Sequence, residues 1–122
     1  MEYTKFRTGT FSVEVAVSEL RNALKGKEIS EYEHIIRGLC LEDSEPVYCK
    51  AYGTKEAAMV DLEPKCKAYM MQGNAKPYYL LEATFVDEYV ADEDGEFLYG
   101  STFWSDPVMT DEELHELEEK LF

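Results

Sequence analysis

Alternation of apolar and polar residues marks the first element. From Thr10 to Val17, Phe11, Val13, Val15 and Val17 fall on one side and Ser12, Glu14 and Ala16 on the other, which predicts a strand with one buried face. Residues 3–7 predict a preceding strand, with Gly9 as a turn or bulge. The period then lengthens. Ser18 is placed to cap a short helix from Glu19 to Lys25, closed by Gly26. Ser30-Glu31-Tyr32-Glu33 reads as a capping box. Tyr32, Ile35, Ile36 and Leu39 follow at i, i+3, i+4 and i+7, the apolar stripe of a second helix, and Gly38 predicts its end within two turns. Leu41 to Pro46 reads as an acidic loop and Val47 to Tyr52 as a strand. Thr54 caps a third helix from Lys55 to about Glu63, where Pro64 removes a donor and clashes with the preceding turn. Cys66, Ala68 and Met70 alternate with Lys65, Lys67 and Tyr69. That pattern predicts a strand, with a kinked continuation of the helix as the alternative.

The densest apolar content lies between Lys76 and Trp104. Tyr78 to Ala91 is rich in aromatic and β-branched residues, which suit a pleated, half-buried surface. Glu93-Asp94-Gly95 interrupts the run with turn chemistry. A three-residue loop, two right-handed residues and then a left-handed Gly95, makes a β-hairpin with a G1 bulge. It pairs Asp92 with Glu96, and from there Tyr89 with Tyr99 and Phe85 with Phe103. Tyr79, Leu81, Phe85, Tyr89, Phe97, Tyr99 and Phe103 then share a core face. The opposite face is only partly polar and calls for a partial cover. A two-residue Asp94-Gly95 loop would shift the register by one and scatter the aromatics over both faces. The last helix is announced by Thr110-Asp111-Glu112-Glu113, a second capping box, with Met109 and Leu114 as a hydrophobic staple and Leu114, Leu117 and Leu121 as its stripe.

The elements therefore read β-α-α-β-α-β-β-β-α. This is the order of a single α+β domain, residues 1–122. The expected sheet is antiparallel or mixed and centred on the long C-terminal hairpin, with short helices on one side and an acidic C-terminal helix. A chain of 122 residues buries enough surface to need no disulfide or metal. Three cysteines at irregular spacing point to a reducing cytoplasm. No apolar run is long enough for a membrane helix, and the N-terminal residues have no signal-peptide pattern.

Charge changes the picture most. The net charge is −14, and residues 77–122 hold 14 of the 26 acidic residues but only one of the 12 basic ones. One end of the protein is thus expected to be strongly negative and able to steer toward a positive surface.

Catalytic and metal chemistry find little support. His34, Cys40, Cys49 and Cys66 lack the close paired spacing of zinc ligands, so no metal and no cofactor is expected. His34 and His115 sit between charged neighbours on amphipathic helices and read as surface residues. The Asp92–Glu96 segment lacks the twelve-residue calcium-loop pattern. Direct nucleic-acid binding is disfavoured, because phosphates call for clustered Lys and Arg. The opposite role fits better. Carboxylates at i, i+4 on a helix repeat every ~6 Å, and at i, i+2 on a strand every ~6.6 Å; such spacing can stand in for a phosphate backbone. The partner-binding candidates are Asp87, Glu88, Asp92, Glu93, Asp94 and Glu96 on the hairpin, Asp111, Glu112, Glu113, Glu116 and Glu119 on the last helix, and Trp104 as an aromatic anchor.

The segments TKEAAMVDL, KPYYLLEATFVDEYVADEDGEFLYG and STFWSDP resemble small uncharacterised proteins of bacterial mobile elements and prophages, over about residues 47–107. Those proteins share a helix opening TKEEA, a tyrosine-rich strand and a DEDGE hairpin; Pro64 departs from their usual helix. That group implies no known activity. By charge and size the chain is also similar to anti-CRISPR and antirestriction proteins, an analogy without a shared motif. The expectation is a non-enzymatic inhibitor docking on the basic nucleic-acid groove of a bacterial defence protein such as a CRISPR nuclease. The alternative is a regulatory or self-associating module, a homodimer included, that binds through exposed hairpin aromatics.

Overall fold

The computed structural model describes residues 2–74, 76–103 and 108–122, with side chains to residue 100 in the middle segment. The element order is the expected one: β1 (Tyr3–Ala16), α1 (Val17–Leu24), α2 (Ile29–Asp43), β2 (Val47–Tyr52), α3 (Lys55–Asp61), β3 (Cys66–Gln72), β4 (Pro77–Ala91), β5 (Phe97–Phe103) and α4 (Asp111–Leu121). The strands form one open antiparallel sheet, ordered β2-β1-β4-β3, with β5 also on β4.

β4 is its axis. β1 pairs with β4 along its whole length, from Tyr3 opposite Ala91 to Ala16 opposite Tyr78. β3 and β5 therefore divide the other edge of β4 between them. β3 takes Pro77 to Ala83 and β5 takes Asp87 to Ala91. In the gap, Thr84 ties the α3–β3 connection to the sheet: its N–H donates to the Lys65 carbonyl at 2.8 Å, and its hydroxyl donates to the Glu63 carbonyl at 3.0 Å.

Odd-numbered residues of β1 and β4 face one side. Phe11, Val15, Tyr79, Leu81, Ala83 and Phe85 bury there against Leu20 and Leu24 of α1, Tyr32, Ile36 and Cys40 of α2, and Leu114, Leu117 and Leu121 of α4. Three helices thus share a face, as expected. The partial cover expected on the other face is α3. Lys50 and Tyr52 of β2 reach its Asp61, and Thr8 and Val86, paired across β1 and β4, are buried. A fixed close approach explains Gly9: a Cβ there would lie 2.3 Å from Cζ of Phe85. β1 therefore runs unbroken through Gly9, and the irregularity falls in its pairing with β2.

Several boundaries differ from expectation. α1 starts at Val17 directly from β1, and Ser18 caps nothing. α2 starts at Ile29, where the Glu28 N–H donates to Oε2 of Glu31 at 2.9 Å, and it continues past Gly38 to Asp43. Burial of Cys40 and partial burial of Leu39 outweigh the ~1 kcal/mol that a helical glycine costs.

Candidate functional site

The hairpin tip is built as its sequence requires. The Asp92 N–H donates to the Glu96 carbonyl and the Gly95 N–H to the Asp92 carbonyl, each at 3.0 Å, and Gly95 has φ +83°. The Asp92 carboxylate takes part in the turn itself: its Oδ1 accepts from the N–H groups of Asp94 and Glu96, each at 2.9 Å. Asp92 is therefore a turn-forming residue, half-buried. Glu93, Asp94 and Glu96 project into solvent.

Beyond the tip the predicted register does not hold. Ala91 pairs with Phe97 as expected, but two irregularities then slide the strands, so that Val90 faces Tyr99 and Asp87 faces Phe103. The expected Tyr89–Tyr99 and Phe85–Phe103 pairs do not form. Gly100, at φ +80°, lies within the shifted stretch, in a conformation that side-chain-bearing residues rarely adopt. The shift changes what the hairpin exposes. Tyr79, Leu81, Phe85 and Tyr89 are buried as expected, whereas Phe97 and Tyr99 are 51% and 53% exposed and Leu98 is also exposed. An apolar and aromatic strip therefore adjoins the acidic tip. The Tyr99 hydroxyl donates to Oε2 of Glu2 at 2.9 Å, and this carboxylate raises the phenol's pKa.

Asp87 corrects another expectation. It is fully buried and ion-paired with Arg7, directly opposite on β1. Arg7 Nε lies 2.9 Å from Oδ1, and Nη2 lies 3.2 Å from Oδ2. The guanidinium also sits 3.6 Å from the Tyr48 ring centre and 4.7 Å from that of Tyr89. Asp87 presents no charge to a partner. Glu88, on the alternate side, is half-buried. The arginine-aromatic cluster was missed in the sequence. Its signal is Arg7 itself, which shares the odd-numbered face of β1 with Phe11, Val13 and Val15.

On α4, Asp111, Glu112, Glu116 and Glu119 are exposed. Glu113 is half-buried: its N–H donates to the Thr110 hydroxyl oxygen at 3.2 Å, and that hydroxyl donates to Oε1 of Glu113 at 3.0 Å. Glu116 pairs with Lys120 at 2.8 Å and raises its pKa. The chain approaches α4 from the level of Ala83, because Cys66, the partner of Ala83, bonds Val108, just before the helix. Nine residue steps along the strand lead from that level to Asp92, or ~30 Å at strand rise. The tip thus lies beyond one end of β4 while the chain enters α4 from the level of the strand's middle, so the two acidic surfaces are separate. Trp104 lies outside the described residues.

His34 and His115 are exposed on α2 and α4. Cys40 and Cys66 are buried thiols, pushed up to about 11 and about 12 by desolvation, with the charge of Cys40 adding to the shift at Cys66; Cys49 is exposed. Among the described residues, no group of three His, Cys, Asp or Glu side chains is placed to hold a metal ion, and no helix is long and apolar enough to cross a membrane. No protein-family model, curated protein or solved structure matches the chain.

Proposed function

We propose that the protein is a non-enzymatic inhibitor that docks its acidic hairpin end on the basic nucleic-acid groove of a bacterial defence protein, a CRISPR nuclease being the particular case. One observation carries this reading: exposed Glu93, Asp94 and Glu96 adjoin exposed Phe97, Leu98 and Tyr99. Carboxylates steer the encounter and set orientation, and buried aromatic anchors supply most of the binding energy at interfaces. α4 also carries exposed charge, but the exposed aromatic beside it is the single Phe122 at its C-cap, whereas the hairpin end sets Phe97, Leu98 and Tyr99 together beside its carboxylates, so the hairpin end is the better contact surface. The protein acts by occupying the groove and performs no chemistry of its own.

The test is inhibition of DNA cleavage by guide-loaded CRISPR nucleases, with association measured alongside. Glu93→Gln, Asp94→Asn and Glu96→Gln together should slow association at least tenfold at low salt, and the difference should shrink toward 0.5 M, where the screening length falls to ~4 Å. Glu112→Gln, Glu116→Gln and Glu119→Gln together should change it less than twofold. An unchanged inhibitor after hairpin neutralisation overturns the reading. The same exposed aromatics favour one alternative, a protein-binding or self-associating module. For that module Phe97→Ala with Tyr99→Ala would cost more than any charge change, at every salt concentration.

A further inference from the structure

The outer edge of β3 and the acidic face of α4 bound a groove that the hairpin reading leaves unused. The Lys65 carbonyl accepts from Thr84 on the β4 side, while the Cys66 N–H points the other way and donates to the Val108 carbonyl at 2.9 Å. Successive peptide groups of a strand alternate in direction. The N–H and C=O groups of Ala68, Met70 and Gln72 therefore point outward, along an edge that β4 does not use. Val108 already pairs there with Lys65 as a parallel bridge. The chain then leaves the edge at Thr110 to enter α4, and a cleft of about 470 Å³ opens between helix and strand.

The two sides of this edge differ. Ala68 and Met70, opposite Leu81 and Tyr79, face the helices. There the cleft is lined by Met70, Leu117, Glu113, Glu116, Lys67 and Lys120, with Tyr79 at its base, and Lys120 pairs with Glu116. The Tyr79 hydroxyl is buried and has no hydrogen-bond partner among the described residues, a state that buried polar groups rarely keep. On the other side, Tyr69 and Met71 are exposed. An edge strand with exposed apolar residues and neither proline nor bulge is a template for another strand.

We propose that this edge binds an extended peptide that adds to β3 as a further strand, with basic residues facing α4 and apolar residues facing away. Backbone bonds to Ala68, Met70 and Gln72 hold the peptide, and side-chain alternation sets its sequence. A Lys or Arg directed into the cleft lays its stem along Met70 and Leu117 and brings its head to Glu113 and to Glu116, which it shares with Lys120. The Tyr79 hydroxyl accepts a hydrogen bond from that head. Charge selects against a second copy of this chain as the occupant, because each copy carries −14.

The test uses the full chain and a fluorescent eight-residue peptide of alternating Lys and Val, with alternating Glu and Val as its control. The Lys peptide should bind, with amide-exchange protection confined to β3 and α4, and the Glu peptide should bind at least tenfold more weakly. Met70→Pro removes an outward donor and leaves the β4 pairing intact, and it should weaken binding at least tenfold. Methylating alternate peptide nitrogens should do the same to the unaltered protein, independently of how the proline variant folds. Glu113→Gln with Glu116→Gln should weaken binding about tenfold at low salt. Equal binding of both peptides, protection at the hairpin instead of β3, or a concentration-dependent dimer that Met70→Pro abolishes would each overturn the proposal.

Discussion

Arg7 and Asp87 show what a single residue can do against the general trend of a surface. The chain is crowded with carboxylates, yet among the described residues Asp87 is the buried one, and the cation opposite it on β1 is held by the rings of Tyr48 and Tyr89. Removing one member of such a pair leaves the other charge without its counter-ion in a dry setting, which typically costs about 3–5 kcal/mol. Asp87→Ala should therefore lower the urea midpoint by an amount equivalent to about 3 kcal/mol or more. Arg7→Met with Asp87→Leu should recover most of it, since an apolar pair of similar volume needs no compensation. A loss below about 1 kcal/mol for Asp87→Ala would mean that solvent screens the pair. The carboxylates of Glu93, Asp94 and Glu96 belong to the opposite category, because at exposed sites individual charges contribute little to stability.

At the scale of elements, order and type were legible throughout, because each element declares itself locally. Thr54 and Thr110 accept from the N–H groups of Ala57 and Glu113, as their positions in the sequence require. The alternation of Cys66, Ala68 and Met70 is that of a strand, not of a kinked helix. What stayed illegible was set by distant partners. The end of α2 depends on core that Leu39 and Cys40 fill, and the hairpin register beyond Ala91 depends on irregularities that no turn residue announces. The candidate site divides in the same way. The exposed acids of the tip could be read from their turn, but the burial of Asp87, the exposure of Phe97 and the cleft beside Tyr79 follow from how β1, β3 and β5 share β4. The tip allows a direct test. Gly95→Val places a β-branched residue at φ +83° and should destabilise by more than about 1 kcal/mol. No side chain crowds that point, so the loss would report backbone strain. An unchanged melting temperature would mean that the turn adopts another conformation.

For the whole molecule, the question is what −14 costs the fold. Like charges gathered in one compact body repel one another and oppose its compaction. Two repulsions operate at different ranges. Between the tip and the level at which the chain approaches α4 the separation is ~30 Å, comparable to the screening length at 0.01 M salt and several times the ~8 Å found at 0.15 M. Within the tip, neighbouring carboxylates lie close enough to interact until screening falls to ~3 Å near 1 M. The melting temperature should therefore climb with sodium chloride, steeply up to about 0.15 M as the two surfaces cease to feel each other, then gradually as each cluster is screened internally. Glu93→Gln, Asp94→Asn and Glu96→Gln together should raise the low-salt melting temperature and flatten this slope. The same three changes are those expected to abolish steering toward a basic partner, so binding and stability should move in opposite directions. That divergence separates loss of a contact surface from loss of the fold. A melting temperature that falls with added salt would mean that ion pairs such as Arg7–Asp87 and Lys120–Glu116 outweigh the repulsion, and the acidic end would then be neutral in its effect on folding.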